Sequence, residues 1–309
     1  MISKKFIRHL LEFCAVWLLA AFIRLLPARL AIRLGRFLGA AAGRLIKERM
    51  RLGHENLKRA FGDQLSHEER YRILRSLMEL LGEALVESII RTPEDVEKNV
   101  EVEGFQHLEQ ALSLGKGVIL LGSHFGMWEL AGYVFGMRLP KAATLYKPLK
   151  NPFIDRYVLA NRETCNMEII PNQNTLRGIM RRLRENYMVV FLYDQNAGRD
   201  GILAGFFGHP AITYAAPAAL ARKTGCPVVP AYILKLPGFR RHRMVLGEPF
   251  TPIDTGDTAK DMLATVQQYN DFIEELVRRH PEQWFGWLHN RWKIKSKFKE
   301  EAKVFVKTV

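Results

Sequence analysis

The fold turns on one stretch, Val118-Ile119-Leu120-Leu121-Gly122-Ser123-His124-Phe125-Gly126-Met127-Trp128-Glu129-Leu130. Its first four residues form an apolar run closed by a glycine, which reads as a buried strand. The residues after it keep an apolar face through Val134 and Phe135, as a helix would. His124 and Glu129 therefore fall where a strand hands over to a helix, a common place for reacting groups in α/β folds. On a regular helix two side chains five positions apart point about 140° away from each other. The two meet only if His124 lies in the turn ahead of the helix and folds back over its first turn. In that pose Glu129 holds the imidazole in one tautomer and leaves the other nitrogen free as a base near neutral pH. The spacing alone equally fits a hydrogen-bonded pair with a structural role.

Working outward, short apolar or alternating runs predict strands at 117–122, 143–146, 167–170, 188–193, 228–234 and 243–247. Helical spacing lies between several of them, around 105–114, 124–137, 152–163, 174–186 and 213–224, with a final helix near 258–280. Strands alternating with helices predict an α/β fold with a mostly parallel central sheet flanked by helices. Ahead of the sheet, Ser66-His67-Glu68-Glu69 is a capping-box pattern. It opens a helix over 66–91 whose apolar residues (Ile73, Leu77, Leu80, Leu81, Leu85, Ile89) face the core and whose acids form a solvated face. No internal repeat or low-complexity linker interrupts the chain.

Charge divides the 309 residues further. Residues 1–60 carry a net +10 and residues 290–309 a net +5, while 61–289 sum to −1. The basic N-terminal stretch is interleaved with Leu, Ile, Phe and Ala rather than with Gly, Ser and stacking aromatics. No zinc-finger, RNP-type or basic-zipper pattern is present, so an anionic membrane surface fits better than nucleic acid. Phe13–Ile23 is an unbroken apolar run of eleven residues, preceded by Lys4, Lys5 and Arg8. Counted from Leu10 to Leu26 it approaches the roughly 20 residues of a full span, with Glu12 and Arg24 placed where they can snorkel. It continues as Pro27-Ala28-Arg29-Leu30 without a small-x-small cleavage site. The expectation is an uncleaved membrane anchor or interfacial helix, ahead of a cleaved signal or an ordinary core helix. Residues 1–60 are thus expected to anchor the chain and 61–309 to form the α/β domain with a basic, aromatic tail. Cys14, Cys165 and Cys226 are too few and too scattered for a disulfide framework or a zinc site, as suits a reducing compartment.

Several enzyme signatures are absent: no Walker A, no dinucleotide fingerprint, no HExxH, no EF-hand loop. Ser123 is not in a G-x-S-x-G elbow. Ser123-His124-Phe125-Gly126-Met127-Trp128-Glu129 resembles the H-x-x-x-x-[DE] motif of glycerolipid-type acyltransferases, and in particular the late acyltransferases of lipid A synthesis. Three further blocks resemble that family in order and spacing. They are Tyr146-Lys147-Pro148-Leu149-Lys150-Asn151-Pro152, followed by a helix that ends near Arg162; Tyr193-Asp194-Gln195-Asn196 with Phe206-Phe207-Gly208-His209-Pro210-Ala211; and His280-Pro281-Glu282-Gln283-Trp284 running through to Trp292-Lys293. The resemblance takes in Asn56-Leu57 and the hydrophobic start.

It implies an O-acyltransferase at the cytoplasmic face of a cell inner membrane. Its co-substrate would be acyl carrier protein or acyl-CoA and its acceptor a membrane lipid, with no metal or other cofactor. It also implies His124 as base, Glu129 as its orienting partner, and Arg162, Asp194, Ser123 and Lys147 in contact with substrate. Arg162 and Asp194 equally fit simple caps, and the oxyanion donors are either backbone N–H groups or a basic side chain. Arg181, Arg182 and Arg184 form either a solvated face or a seat for an acidic carrier protein or lipid phosphates. The tryptophans from Trp284 to Trp292 form either a packed cluster or an interfacial belt. Lys147, Ala204-Gly205 and Asn290 depart from the family pattern at positions expected to touch the head group and acceptor, which leaves lipid A open as the acceptor.

Overall fold

The structure, a computed structural model, describes residues 3–163, 166–171 and 175–308. In chain order, α1 (Lys4–Leu25), α2 (Ala28–Leu45), α3 (Lys47–Phe61), α4 (His67–Ile90) and α5 (Pro93–Asn99) precede the first strand. There follow β1 (Val100–Glu103), α6 (Phe105–Ser113), β2 (Val118–Gly122), α7 (Leu130–Arg138), β3 (Ala142–Tyr146), α8 (Pro152–Glu163), β4 (Glu168–Pro171), α9 (Thr175–Arg184) and β5 (Met188–Leu192). The chain closes with β6 (Gly201–Phe206), β7 (His209–Tyr214), α10 (Ala216–Thr224), β8 (Val228–Lys235), β9 (His242–Leu246), α11 (Thr258–Arg279) and α12 (Lys299–Thr308).

Seven strands form one sheet in the order β1-β9-β8-β2-β5-β3-β4. The five from β8 to β4 are mutually parallel, and the edge pair β1 and β9, parallel to each other, runs antiparallel to them through the β8–β9 pairing. Every residue of β2 is buried, as a central strand covered on both faces requires. Alternate side chains feed two cores. Ile119 and Leu121 join α11 and the C-terminal tryptophans, while Val118 and Leu120 join α6 and α7. The expected mostly parallel α/β sheet is therefore present. Two boundaries differ. Residues 124–129 form an irregular turn, so α7 starts only at Leu130, and Thr213 and Tyr214 belong to β7 instead of a helix. The spacing did not reveal the β6–β7 hairpin. Its two-residue turn places Phe207 and Gly208 both at positive φ (53° and 68°), the combination that matches hairpin twist.

The capping box at α4 forms as expected: Glu69 N–H donates to Ser66 Oγ at 3.2 Å and Ser66 N–H to the Glu69 carboxylate at 2.7 Å. The acids of α4, however, are not all solvated. Glu87 is buried against His242 (3.0 Å) and Arg240 (3.4 Å), and Glu83 lies 3.4 Å from Lys235. The β8–β9 hairpin supplies these counter-charges from residues distant in sequence, so helix periodicity could not foresee the burial.

Helix α2 crosses α4 at backbone contact. A Cβ on Gly82 would stand 2.0 Å from the Gly35 carbonyl oxygen, and one on Gly39 would stand 2.1 Å from that of Met78. Small residues at this spacing let two helices touch main chain to main chain.

Helix α1 alone among the described helices is long and apolar enough to cross a membrane, and it suits membrane association. One side docks on the domain. Asn151 Nδ2 donates to the His9 carbonyl (2.8 Å) and to Glu12 (2.9 Å), and Phe6 and Phe13 pack on Phe153. Most exposed large apolar side chains of the protein lie between Phe6 and Ile46, a concentration that marks a surface made for lipid or protein.

Replacing Gly82 by leucine forces α2 and α4 apart. The expected loss is at least about 1–3 kcal/mol, read as a lowered thermal midpoint in detergent together with new protease cuts between α1 and α4. Unchanged stability would contradict the close helix crossing.

Candidate active site

Strand register builds the site. β2 and β5 pair in parallel with Gly122 opposite Leu192, and Tyr193 N–H donates to the Gly122 carbonyl at 2.9 Å. Two residues past each strand, His124 and Asp194 therefore stand side by side. His124 Nδ1 lies 2.8 Å from Asp194 Oδ1. A carboxylate can only accept, so Nδ1 carries the proton and Nε2 keeps its lone pair, which faces the Gln195 amide nitrogen at 3.4 Å, a long contact that a substrate hydroxyl can replace. The other carboxylate oxygen accepts from Trp284 Nε1–H at 2.9 Å.

The loop carrying His124 is held from the far end of the chain. Gly126 N–H donates to the Gln283 carbonyl (2.9 Å), and Phe285 N–H to the His124 carbonyl (3.0 Å). Gly126 has φ +54°, and a Cβ there would stand 2.1 Å from the Ile233 carbonyl oxygen, so only glycine fits. The Gln283 amide in turn bonds both main-chain groups of Lys235. Packing completes the setting: the imidazole meets Trp128 edge-on at 5.4 Å, and Trp128 stacks on Phe285.

Burial alone would lower the basicity of His124, but the charge and hydrogen bond of Asp194, with a further contribution from the charge of Glu129, raise its pKa above the ordinary value. Burial alone would raise Asp194. The positive imidazolium and the bonds from His124 and Trp284 outweigh that, and its carboxyl titrates below the usual range. The pair is thus poised to accept a proton and to stabilise the cation that results.

Beside it opens a cleft of about 330 Å³. Ser123, His124, Glu129 and Lys147 line its polar part. Leu120, Met167, Val190, Ile233 and Met244, apolar side chains of the core, line the rest, which passes Ala131 and Gly132 of α7. Such a mix of convergent polar groups on an apolar lining is typical of ligand sites. Ser123 Oγ is buried and has no hydrogen-bond partner among the described residues, as expected of a group kept for a ligand. A second cleft of about 800 Å³ lies between α9, α10 and the sheet and shares Tyr146, Lys147 and Leu192 with the first. No cluster of His, Cys, Asp or Glu suited to a metal occurs among the described residues.

The structure brings together His124, Glu129, Ser123 and Lys147 around one cleft and sets Asp194 directly behind the imidazole. Nδ1 donates its proton to Asp194, while Glu129, the acid that the spacing offered as the ring's partner, adds its charge to raise the ring's pKa. Arg162 lies on α8, but its side chain is outside the described residues, as is Cys165. Arg182 is paired with Glu168, leaving Arg181 and Arg184 exposed. Trp284, Trp287 and Trp292 are buried, so the tryptophans form a packed cluster, not a belt.

Of the departures from the family pattern, Lys147 borders both clefts described above. Ala204 is buried within β6, the Gly205 main chain is bonded to Gln267 and Asn270 of α11, and the Asn290 carbonyl accepts from Asn196. These main-chain bonds brace the hairpin and the tail. The supporting role of Trp284 and the presence of Arg91 on the cleft wall went unnoticed in the sequence. Neither shows a periodicity or spacing that would have marked it.

An imidazole of fixed tautomer thus stands at the C-terminal end of a central strand, beside a largely apolar cleft, an arrangement common in enzymes. Residues 1–294 match the family described as bacterial lipid A biosynthesis acyltransferase, and the chain belongs to that family and is an O-acyltransferase. It is 31% identical over 275 residues to a lipid A biosynthesis palmitoleoyltransferase of Escherichia coli (strain K12), covering 87% of each chain. With the lipid A biosynthesis lauroyltransferase of the same strain it shares 28% over 277 residues, again 87% of each. A phosphatidylinositol mannoside acyltransferase of Mycobacterium tuberculosis (strain CDC 1551 / Oshkosh) is 27% identical over 187 residues, 59% of this chain and 57% of that protein.

Replacing Asp194 by asparagine removes the charge that keeps the imidazole basic. NMR titration should then show the His124 pKa moving down, toward and below the ordinary 6.5 of histidine. An unmoved titration would show that the bond to Asp194 does not control the ring.

Proposed function

We propose that the chain moves a fatty acyl group from a thioester, on acyl carrier protein or coenzyme A, to a hydroxyl of a lipid A precursor or a related glycolipid. The observation that carries this reading is the oriented imidazole of His124 at the mouth of a cleft lined by hydrocarbon side chains. The acceptor hydroxyl gives its proton to His124 Nε2 as its oxygen attacks the thioester carbonyl. The tetrahedral oxyanion collapses with loss of the C–S bond, and the departing thiolate takes the proton from the imidazolium. An ester and a free thiol result. Ser123 Oγ makes no bond to His124 or to any other described base, which favours this direct transfer over an acyl-enzyme.

Asp194 orients the base from behind, and Glu129 contributes a second negative charge that favours the imidazolium. The buried, unpartnered Ser123 hydroxyl is available to a substrate oxygen, and Lys147 at the rim to an anionic head group. Arg162 is assigned to substrate positioning. The donor acyl chain lies in the cleft under α7. The basic, apolar helices of residues 1–60 hold the 61–309 domain on the cytoplasmic face of the inner membrane, where soluble donors are at hand. A phospholipid, aminolipid or other acceptor is the second reading. It is favoured by the likeness to mannoside acyltransferases and by Lys147 at the cleft rim where the family commonly has arginine.

His124→Ala and Glu129→Gln should each lower kcat by on the order of 10²–10⁴ or more, with folding and membrane association intact. Normal turnover by purified His124→Ala protein would end the mechanism. Because deprotonated His124 is the active form, the rate should rise with pH through a midpoint above 6.5, and Asp194→Asn should shift that limb toward acid. Gly132 borders the cleft, and a Cβ there would make only an ordinary contact with Met167 Cγ at 3.9 Å, so Gly132→Met should shorten the preferred acyl chain by a few carbons in a competition among donors. Supplying membranes with radiolabelled donor and identifying the labelled lipid distinguishes the two acceptor readings.

A further inference from the structure

On the other side of the Trp128–Glu129 turn from the acyl cleft lies a crevice of about 400 Å³. Val16 and Ala20 of α1, Leu81 and Leu85 of α4, and Ile154 and Val158 of α8 form its apolar walls. Because α1 is one of those walls, and its remaining faces carry exposed Trp17, Leu18 and Phe22, the crevice adjoins the surface made for the membrane. Both it and the acyl cleft are bordered by Arg91, the residue that ends α4.

Arg91 is the unusual group here. Its Nε and Nη1 are buried, and neither has a hydrogen-bond partner among the described residues. The buried guanidinium groups of Arg240 and Arg291 are bonded through other nitrogens, Arg240 to Glu87 and Asp95 and Arg291 to Ile212, Thr213 and Asn270, although Arg291 Nε is itself unpartnered among the described residues. Arg91 instead sits over the Tyr133 ring, its guanidinium carbon 4.1 Å from the centroid, a contact that holds the group without using its N–H groups. Glu129 is the one carboxylate among the described residues that lines both cavities, and it has an interaction of its own. A guanidinium with two buried, unbonded nitrogens at the junction of two apolar cavities is suited to an anion, and a fork of this kind matches phosphate oxygens in pairs.

We infer that Arg91 binds a phosphate group of the lipid acceptor, whose chains reach it from the bilayer through the crevice between α1, α4 and α8. This deepens the transferase reading by assigning the acceptor its path and its anchoring charge. The donor chain occupies the cleft on the far side of Trp128 and Glu129. The phosphate holds the acceptor so that its hydroxyl is presented across that turn to His124, and Arg91 is a positioning residue.

The test is calorimetric binding to the full chain in nonionic detergent micelles doped with phosphatidic acid or, at equal mole fraction, with diacylglycerol of the same chains. The expected result is at least tenfold tighter binding of phosphatidic acid by the native chain. That ratio should fall to within twofold in Arg91→Gln and persist in Arg36→Gln, a surface control. Arg91→Lys, which keeps the charge and the bulk, should retain part of the preference, so a folding defect would not be mistaken for the effect. Equal binding of the two lipids by the native chain, or an undiminished preference in Arg91→Gln, would overturn the proposal. Inorganic phosphate competing as tightly as phosphatidic acid, or a fatty acid bound equally well, would overturn the assignment to a phosphorylated lipid. Since the readout is binding, repeating it with His124→Ala separates this inference from transfer. Retained phosphatidic acid preference in that variant supports the site even where turnover is lost.

Discussion

The hydrogen bond between His124 and Asp194 is the contact to which the rest of the molecule is subordinate. It places a carboxylate with no exposed side-chain surface behind an imidazole that is itself largely buried, and a buried negative charge is tolerated only when its oxygens are bonded. One oxygen is satisfied by the ring and the other by the Trp284 indole. The indole is fixed by its neighbours Phe206, Trp287 and Trp292. The FFG hairpin, the tail and α11 are therefore organised around keeping two oxygen atoms dry and occupied. Asn196 serves the same end, donating to the carbonyls of Asn290, Arg291 and Lys293 and so binding the tail to the segment that carries Asp194.

Parallel pairing explains why residues 70 positions apart share one proton. In a parallel sheet the loops after neighbouring strands emerge at the same edge, and the register of β2 with β5 brings 124 level with 194. The sequence makes both strands plain, because their apolar runs are short, dense and bounded. It carries no mark of which strand lies beside which, and so His124 was matched with the acid nearest in sequence. The four motif blocks were legible as blocks, and their order matched a family. Their physical purposes were not. Asn151 proves to cap α8 through Phe153 N–H while holding α1, and Gln283 clamps the β8 end to the histidine loop.

The helices ahead of the sheet show the same limit from another side. Their composition announced lipid, and α1 does present its apolar faces outward. What composition could not convey is that α1 is also part of a cavity wall, or that α2 reaches α4 closely enough for backbone contact. Buried acids on α4 were equally hidden, since Glu83 and Glu87 look like any others on a helix face until the β8–β9 hairpin is laid across them.

The indole that completes the Asp194 carboxylate belongs to residue 284 of 309. During synthesis the sheet and the greasy cavity have all their strands well before that indole leaves the ribosome. Until then the buried aspartate lacks one of its two donors, and the histidine loop lacks its main-chain clamp. A chain that stops short of residue 283 can thus own all seven strands of the sheet and still lack the clamp on its histidine loop and the second donor to its buried carboxylate.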